Sequence, residues 1–197
     1  LEGGDPVHLL GTDDLGRDTL SRLLKGIQLT LTGALLITLV ISILGIIVGA
    51  TAALTKGVRA SIMHHLLDAL LTIPTLLTAL ILIVLFGMSY EYSLLAISLS
   101  LLPQFIRGVY ISIESELNKQ HVIALRLDGA TNWRLLRFGI LPNILEPLIT
   151  LLNRVFTMAI LEITTLGFLG FGVDPSGVEL GALIANNLDL IYLSPYL

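Results

Sequence analysis

The sequence predicts an all-α protein, a polytopic membrane helical bundle, and three observations predict it. Of the 197 residues, 54% are hydrophobic and only 13% are charged, whereas a water-soluble domain carries about 25% charged residues. The mean hydropathy is +0.89. The few charges are also unevenly spread: none falls between Gly26 and Thr55, and a second uncharged run separates Asp68 from Glu91. A net charge of -4 sets aside disorder by composition and nucleic-acid binding. The absence of cysteine excludes a disulfide framework, a thiol nucleophile and a cysteine-based zinc site. The chain begins at Leu1 and stops at Leu197 inside an apolar stretch, so we expect one transmembrane domain, residues 1–197, cut from a longer protein at both ends.

A helix crossing about 30 Å of hydrocarbon needs roughly 20 apolar residues. The first uncharged run supplies a span at about 27–54, where Gly45 and Gly49 form a small-xxx-small pair that allows close helix approach. A second span is expected at about 64–87, with Pro74 tolerated inside it. The third, about 92–113, contains Pro103 and Arg107. The fourth, about 143–171, holds Glu146, Asn153, Arg154 and Glu162. Residues 172–190 read as an external loop, turn-rich from Gly172 to Gly181 with Pro175 and Gly177, before an apolar stretch that would begin a fifth span. Ahead of the first span, Gly16-Arg17-Asp18 reads as part of an amphipathic lead-in helix with Asp14 or Asp18 near its N-terminus.

Lysine and arginine set the orientation. Lys56 and Arg59 follow the first span, and Lys119, Arg126, Arg134 and Arg137 fall between the third and fourth, with Arg107 nearby. Arg17, Arg22 and Lys25 at the N-terminus are offset by Asp13, Asp14 and Asp18. Four alternating spans put residues 55–65 and 114–140 on one side, the cytoplasm, and the N-terminal stretch and residues 172–197 outside.

Residues 114–140 are too long for a turn and too polar to span. Lys119–Leu127 has helical composition, Asp128-Gly129 interrupts it, and Thr131 or Asn132 can cap a new helix through Trp133, Leu135 and Leu136. Pro142 disfavours helix at Leu141, so the fourth span should start afresh. Helix, glycine bend and helix suit either an amphipathic helix laid in a partner's groove or one floating at the headgroups.

The run Ala124-Leu125-Arg126-Leu127-Asp128-Gly129-Ala130-Thr131, with Ile140-Leu141-Pro142-Asn143 after it, resembles the coupling-loop signature of ABC importer permeases. Leu10-Gly11-Thr12-Asp13-Asp14-Leu15-Gly16-Arg17-Asp18 and Leu166-Gly167-Phe168-Leu169-Gly170-Phe171-Gly172, followed by Glu179-Leu180-Gly181, resemble the dipeptide/oligopeptide branch of that family. Three departures stand out: Ile123 replaces the signature's leading glutamate, Leu125 its second alanine, and Leu180 the usual tryptophan.

The resemblance implies a type I importer permease core, multi-pass in the bacterial inner membrane. Its partners would be a second homologous permease subunit, cytoplasmic ATPase subunits that use ATP, a periplasmic solute-binding protein and the lipid bilayer, with no nucleic acid. It implies peptide as substrate, including cationic antimicrobial peptide. The ATPase-docking loop would then comprise Ala124, Arg126, Leu127, Asp128, Gly129, Ala130, Trp133, Arg134, Leu141 and Pro142. No enzymatic site, metal or cofactor is expected in this chain; no Gly-Lys dipeptide occurs, so it has no phosphate-binding loop of its own. Rival readings are a stand-alone ion-coupled transporter or channel, and a permease for haem, polyamine or nickel.

Charges at membrane depth face a partner or an aqueous path. Arg154 and Glu162 lie eight residues apart and are the translocation-path candidates, Arg154 pairing with Asp68 if it is structural and Glu162 meeting cationic substrate if it is not. His64, His65 and Asp68 make at most a weak metal set, His8 and His121 stand alone, and Glu114 and Glu116 should be solvated on different helix faces.

Overall fold

The computed structural model describes residues 9–13, 15–55, 58–172 and 178–188, and for 58–64 the backbone alone. Lys56, Asp14 and His8, the side chains of Arg59 and His64, the turn residues Pro175 and Gly177 and the last apolar stretch lie outside the described residues.

The first uncharged run forms α1 (Thr19–Leu54), 36 residues long. At 1.5 Å per residue this is about 54 Å, well beyond the hydrocarbon thickness. Asp18 caps it, accepting from the Ser21 N–H at 2.9 Å. The stretch before it is not the expected lead-in helix. Residues 12 and 18 form an antiparallel bridge around a turn in which Gly16 has φ +74.

The second run does not form one continuous helix. It divides into α2 (Val58–Leu71) and α3 (Thr75–Phe86), bent by 88°. Pro74 has no N–H to continue the ladder, Ile73 before it is disfavoured as helix, and α3 starts with Pro74 at its N-cap. By contrast α4 (Tyr90–Leu117) runs unbroken through Pro103. Then come α5 (Gln120–Leu127) and the short α6 (Asn132–Arg134). The fourth span does not start afresh at Pro142. A π turn at Leu135–Ile140 and a 3-10 turn at Leu141–Ile144 carry the helical path into α7 (Leu145–Phe168). The widened turn lets the proline into a helical path without a clash. Last is α8 (Leu180–Asn187), which packs on α7 and α1.

Helix α4 is the axis of the bundle, touching α1, α3 and α7. Its Ala96, Ile97, Leu101, Phe105, Val109 and Ile113 are buried against Ile37 and Ile41 of α1, Ile83 of α3 and Ile163 of α7. The expected glycine pair is where α1 meets it. A Cβ on Gly45 would fall 2.3 Å from Phe105 Cδ1, and one on Gly49 2.8 Å from Val109 Cβ. Leu35, Leu39, Ile43 and Ile47 on the other side of α1 are more than half exposed, an apolar surface suited to lipid.

Candidate functional site

The loop between α4 and α7 is built from the bottom by local signals. Gly129 has φ +80. The Gly129 N–H donates to the Arg126 carbonyl and the Ala130 N–H to the Leu125 carbonyl, both at 3.1 Å. These two bonds form a Schellman motif, and glycine fits its left-handed residue because no Cβ opposes that backbone. Thr131 is the next cap and accepts from the Arg134 N–H. The inner side of α5 is seated on the π turn: Val122, Leu135 and Ile140 are buried, and Leu125 Cδ1 lies 2.9 Å from where a Cβ on Gly139 would be. The outer side is open. Ile123 is 48% exposed, Leu127 83%, Trp133 68% and Phe138 67%. Around them Ala124, Arg126, Asp128, Arg134, Leu141 and Pro142 are exposed, while Ala130 is half-buried.

A polar knot holds the near end of α5. Glu116 is buried, not solvated. Its Oε1 accepts from the Lys119 ammonium, and its Oε2 faces His121 Nε2 at 3.6 Å. His121 does not stand alone either, for its Nε2 is 3.3 Å from the Gly139 carbonyl and 3.2 Å from Asn143 Nδ2. Asn143 donates to the same Gly139 carbonyl at 2.9 Å. A signal for Glu116 was present, because it continues the buried Val109 and Ile113 face of α4 at helical spacing.

The deeper charges divide differently from expectation. Asp68 pairs with Arg107, at 3.4 Å, and not with Arg154; Arg107 also lies over the Tyr110 ring. Arg154 and Glu162 do not share a face, because eight residues overshoot two turns by about 80°. Glu162 is buried and accepts from Ser100 Oγ of α4 at 3.3 Å. The Thr75 hydroxyl at the start of α3 also acts on this carboxylate, so Glu162 ties α7 to α4 at the broken helix. Arg154 is exposed on α7 beside Asn153, along a face that also presents Glu146, Thr150 and Thr157. His65 and Asp68 are exposed, and no group of three or more metal-ligating side chains occurs among the described residues.

At the other end of the bundle Asp13 is a second knot. It accepts from Arg17 Nε and Arg22 Nη1, each at 2.7 Å, and from the Leu15 and Arg17 N–H groups. Burial alone would raise this carboxyl, but the hydrogen bonds from Arg17 and Leu15 outweigh it and hold it below its ordinary value. Glu179, just ahead of α8, is fully buried, and burial pushes its carboxyl up to about 7.

Residues 41–196 match the family described as binding-protein-dependent transport system inner membrane component. The chain belongs to this family. Across 193 residues it is 44% identical to the peptide transport system permease protein SapC of Escherichia coli O6:H1, covering 98% of this chain and 65% of that one. It is 40% identical over 196 residues to SapC of Haemophilus influenzae, all of this chain and 66% of that one. The di/tripeptide transport system permease protein DppC of Pseudomonas aeruginosa is 38% identical over 191 residues, 97% of this chain and 63% of that one. The chain thus spans about two-thirds of the length of these relatives.

In this member of the family the departures from the signature acquire positions. Ile123, where the signature has glutamate, is on the open side of α5. Leu125, where it has alanine, is turned the other way, onto Gly139. The two changes exchange a charge for apolar surface outside and add bulk to the seat inside.

Proposed function

We propose that the chain is a permease subunit of an ATP-driven, binding-protein-dependent peptide importer of the bacterial inner membrane. It forms half of a translocation path with a second homologous permease and docks an ATPase through the loop at 114–140. The observation that carries this reading is the open side of α5. Ile123 and Leu127 expose apolar surface on a short helix whose other side is seated on the π turn and whose near end is tied by Glu116, and Trp133 of α6 and Phe138 of the π turn add exposed apolar surface to the same loop. Apolar side chains presented on a rigid polar-rimmed element suit a groove in a partner. Arg126, Asp128 and Arg134 form the rim. Because α5 continues into α4 on one side and α7 on the other, a partner that displaced it would move two spans together as a rigid body.

The path is assigned to the exposed face of α7. A charged residue at bilayer depth costs about 2.5–3.5 kcal/mol on insertion scales when it faces lipid. Arg154 lies about 14 Å along α7 from its start, and Glu146, Thr150, Asn153 and Thr157 accompany it. Such a stripe is accommodated by water or by a second permease. It holds one acid and one base, which suits peptides, whose ends carry both charges; for a cationic peptide Glu146 is the acidic group on this face. Positive charge at Lys119, Arg126, Arg134 and Arg137 supports the cytoplasmic side for the loop.

The test is reconstitution of the full-length permease with its ATPase and binding protein in proteoliposomes. Leu127→Asp should abolish binding-protein-stimulated ATP hydrolysis and peptide uptake while the permease still inserts. Uptake by the permease alone, without the ATPase, would contradict the reading.

A further inference from the structure

The end of α7 closes with the same motif as α5. Gly170 has φ +80, its N–H donates to the Gly167 carbonyl at 3.0 Å, and the Phe171 N–H donates to the Leu166 carbonyl at 2.8 Å. This turn brings Gly172 back over Gly167, so that a Cβ on Gly172 would stand 3.2 Å from Gly167 Cα. Two residues without side chains thereby leave a slot, and the Glu179 carboxyl fills it. A Cβ on Gly167 would fall 1.3 Å from Glu179 Oε1, and one on Gly172 2.8 Å from the same oxygen.

The surroundings are close-packed. On α8, Gly181 has room for no Cβ, which would meet the Thr164 carbonyl of α7 at 1.9 Å. On α1, Gly26 abuts the Val178 carbonyl, and buried Thr30 accepts from the Leu180 N–H at 3.5 Å. Glu179 is fully buried and neither carboxyl oxygen has a hydrogen-bond partner among the described residues. From α4, Tyr90 is the titratable side chain that feels it electrostatically. Burial is the one cause acting on Glu179 itself, with no charged group on α1, α7 or α8 contributing among the described residues. An ionised carboxylate enclosed in this way, without a donor, is far less favourable than a neutral acid.

We propose that Glu179 is a proton-binding site whose neutral acid, seated in the slot of Gly167 and Gly172, latches α8 onto α1 and α7. Loss of the proton puts an unpartnered negative charge in the slot, and the carboxylate gains solvation only by withdrawing. Withdrawal separates α8 from Thr164 and Thr30. Burial raises the carboxyl from 4.5 to about 7, so the sign is that of a group binding its proton more tightly when packed. Its contribution is complete below 4.5, declines as pH rises, and is gone above about 7. Under the topology proposed above the latch faces the exterior of the cell, and only that assignment of side rests on the proposed function.

The experiment is hydrogen–deuterium exchange of α8 amides in the full-length permease held in lipid nanodiscs, corrected for the intrinsic rate at each pH. It needs neither ATPase nor peptide, so it succeeds or fails independently of the transport reading. In the wild type the opening constant of α8 should rise up to about tenfold per pH unit between 4.5 and 7 and level off above. Glu179→Gln, which cannot ionise, should give a flat profile. Gly167→Ala, whose methyl expels the carboxyl from the slot, should also lose the pH dependence, and it carries the test if the glutamine variant fails to insert. A pH profile in either variant equal to the wild type overturns the proposal.

Discussion

Leu125 and Gly139 touch where any side chain larger than hydrogen at 139 would collide: a Cβ there would lie 2.9 Å from Leu125 Cδ1. This contact seats α5 on the π turn. Gly139→Ala should therefore push the Leu125 side chain aside and loosen the seat of α5, at the low end of about 1–3 kcal/mol for overpacking because the struck atom ends a flexible side chain, and lower peptide uptake per ATP hydrolysed. Leu125→Ala should restore the ratio in the double variant, because it removes the atom that is struck. A double-mutant cycle on the uptake-to-hydrolysis ratio measures this coupling; additive losses would separate the two residues.

The Gly129 backbone gives a different kind of prediction. Its φ is +80 and nothing lies within 4 Å of the point a Cβ would occupy, so substitution there meets backbone strain and no steric clash. Gly129→Val should cost about 1–2 kcal/mol locally and uncouple transport while the permease still inserts. Gly129→Asn, which tolerates the left-handed region better, should retain most of the uptake. Uptake assays and membrane yield of the two variants check this.

Asp68 forms with Arg107 the ion pair expected from the sequence with Arg154. Asp68 is half exposed, with its side chain 50% accessible, so the pair should contribute no more than about 1 kcal/mol. Exchanging the two charges should restore most of the thermal stability lost in either single variant. Asp68→Asn and Arg154→Gln should instead be additive in unfolding temperature, since those side chains do not meet. Rescue between Asp68 and Arg154 would contradict the arrangement.

For Asp13 the pH dependence has the opposite sign to that of Glu179. Its carboxyl is held low, so its contribution to the turn before α1 is present above its ordinary value of 3.8 and is lost as pH falls through the depressed one. Limited proteolysis at residues 9–18 should be unaffected between neutral pH and pH 4. Asp13→Asn, which keeps the shape but not the charge for Arg17 and Arg22, should be cleaved faster throughout that range.

Much of this was legible because charge is costly in lipid. The uncharged run that became α1 and the glycine seam at Gly45 and Gly49 could be read directly, as could the Asp128-Gly129 bend, whose left-handed residue has few alternatives. Prolines were not legible. Pro74 stands at the N-cap of a new helix and Pro103 lies inside one, although both lack the N–H and restrict the residue before them in the same way. Glu116 and Glu179 were missed for different reasons. At Glu116 the polar stretch around it hid the helical spacing from Val109 and Ile113, whereas Glu179 is enclosed only by the packing of distant segments, Gly167 with Gly172.

The most direct test of the central claim, that the open side of α5 docks an ATPase, uses the absence of cysteine from this chain. Leu127→Cys and Val122→Cys place a single thiol on the open and the seated side of the helix. Both are labelled in membranes holding the full-length permease, with any cysteine outside these 197 residues replaced, with and without its ATPase. The thiol at 127 should be shielded from thiol reagents and should cross-link to the ATPase when it is present. The thiol at 122, being buried, should remain unreactive in both. Equal labelling at 127 with and without the ATPase, and no cross-link, would contradict the docking role.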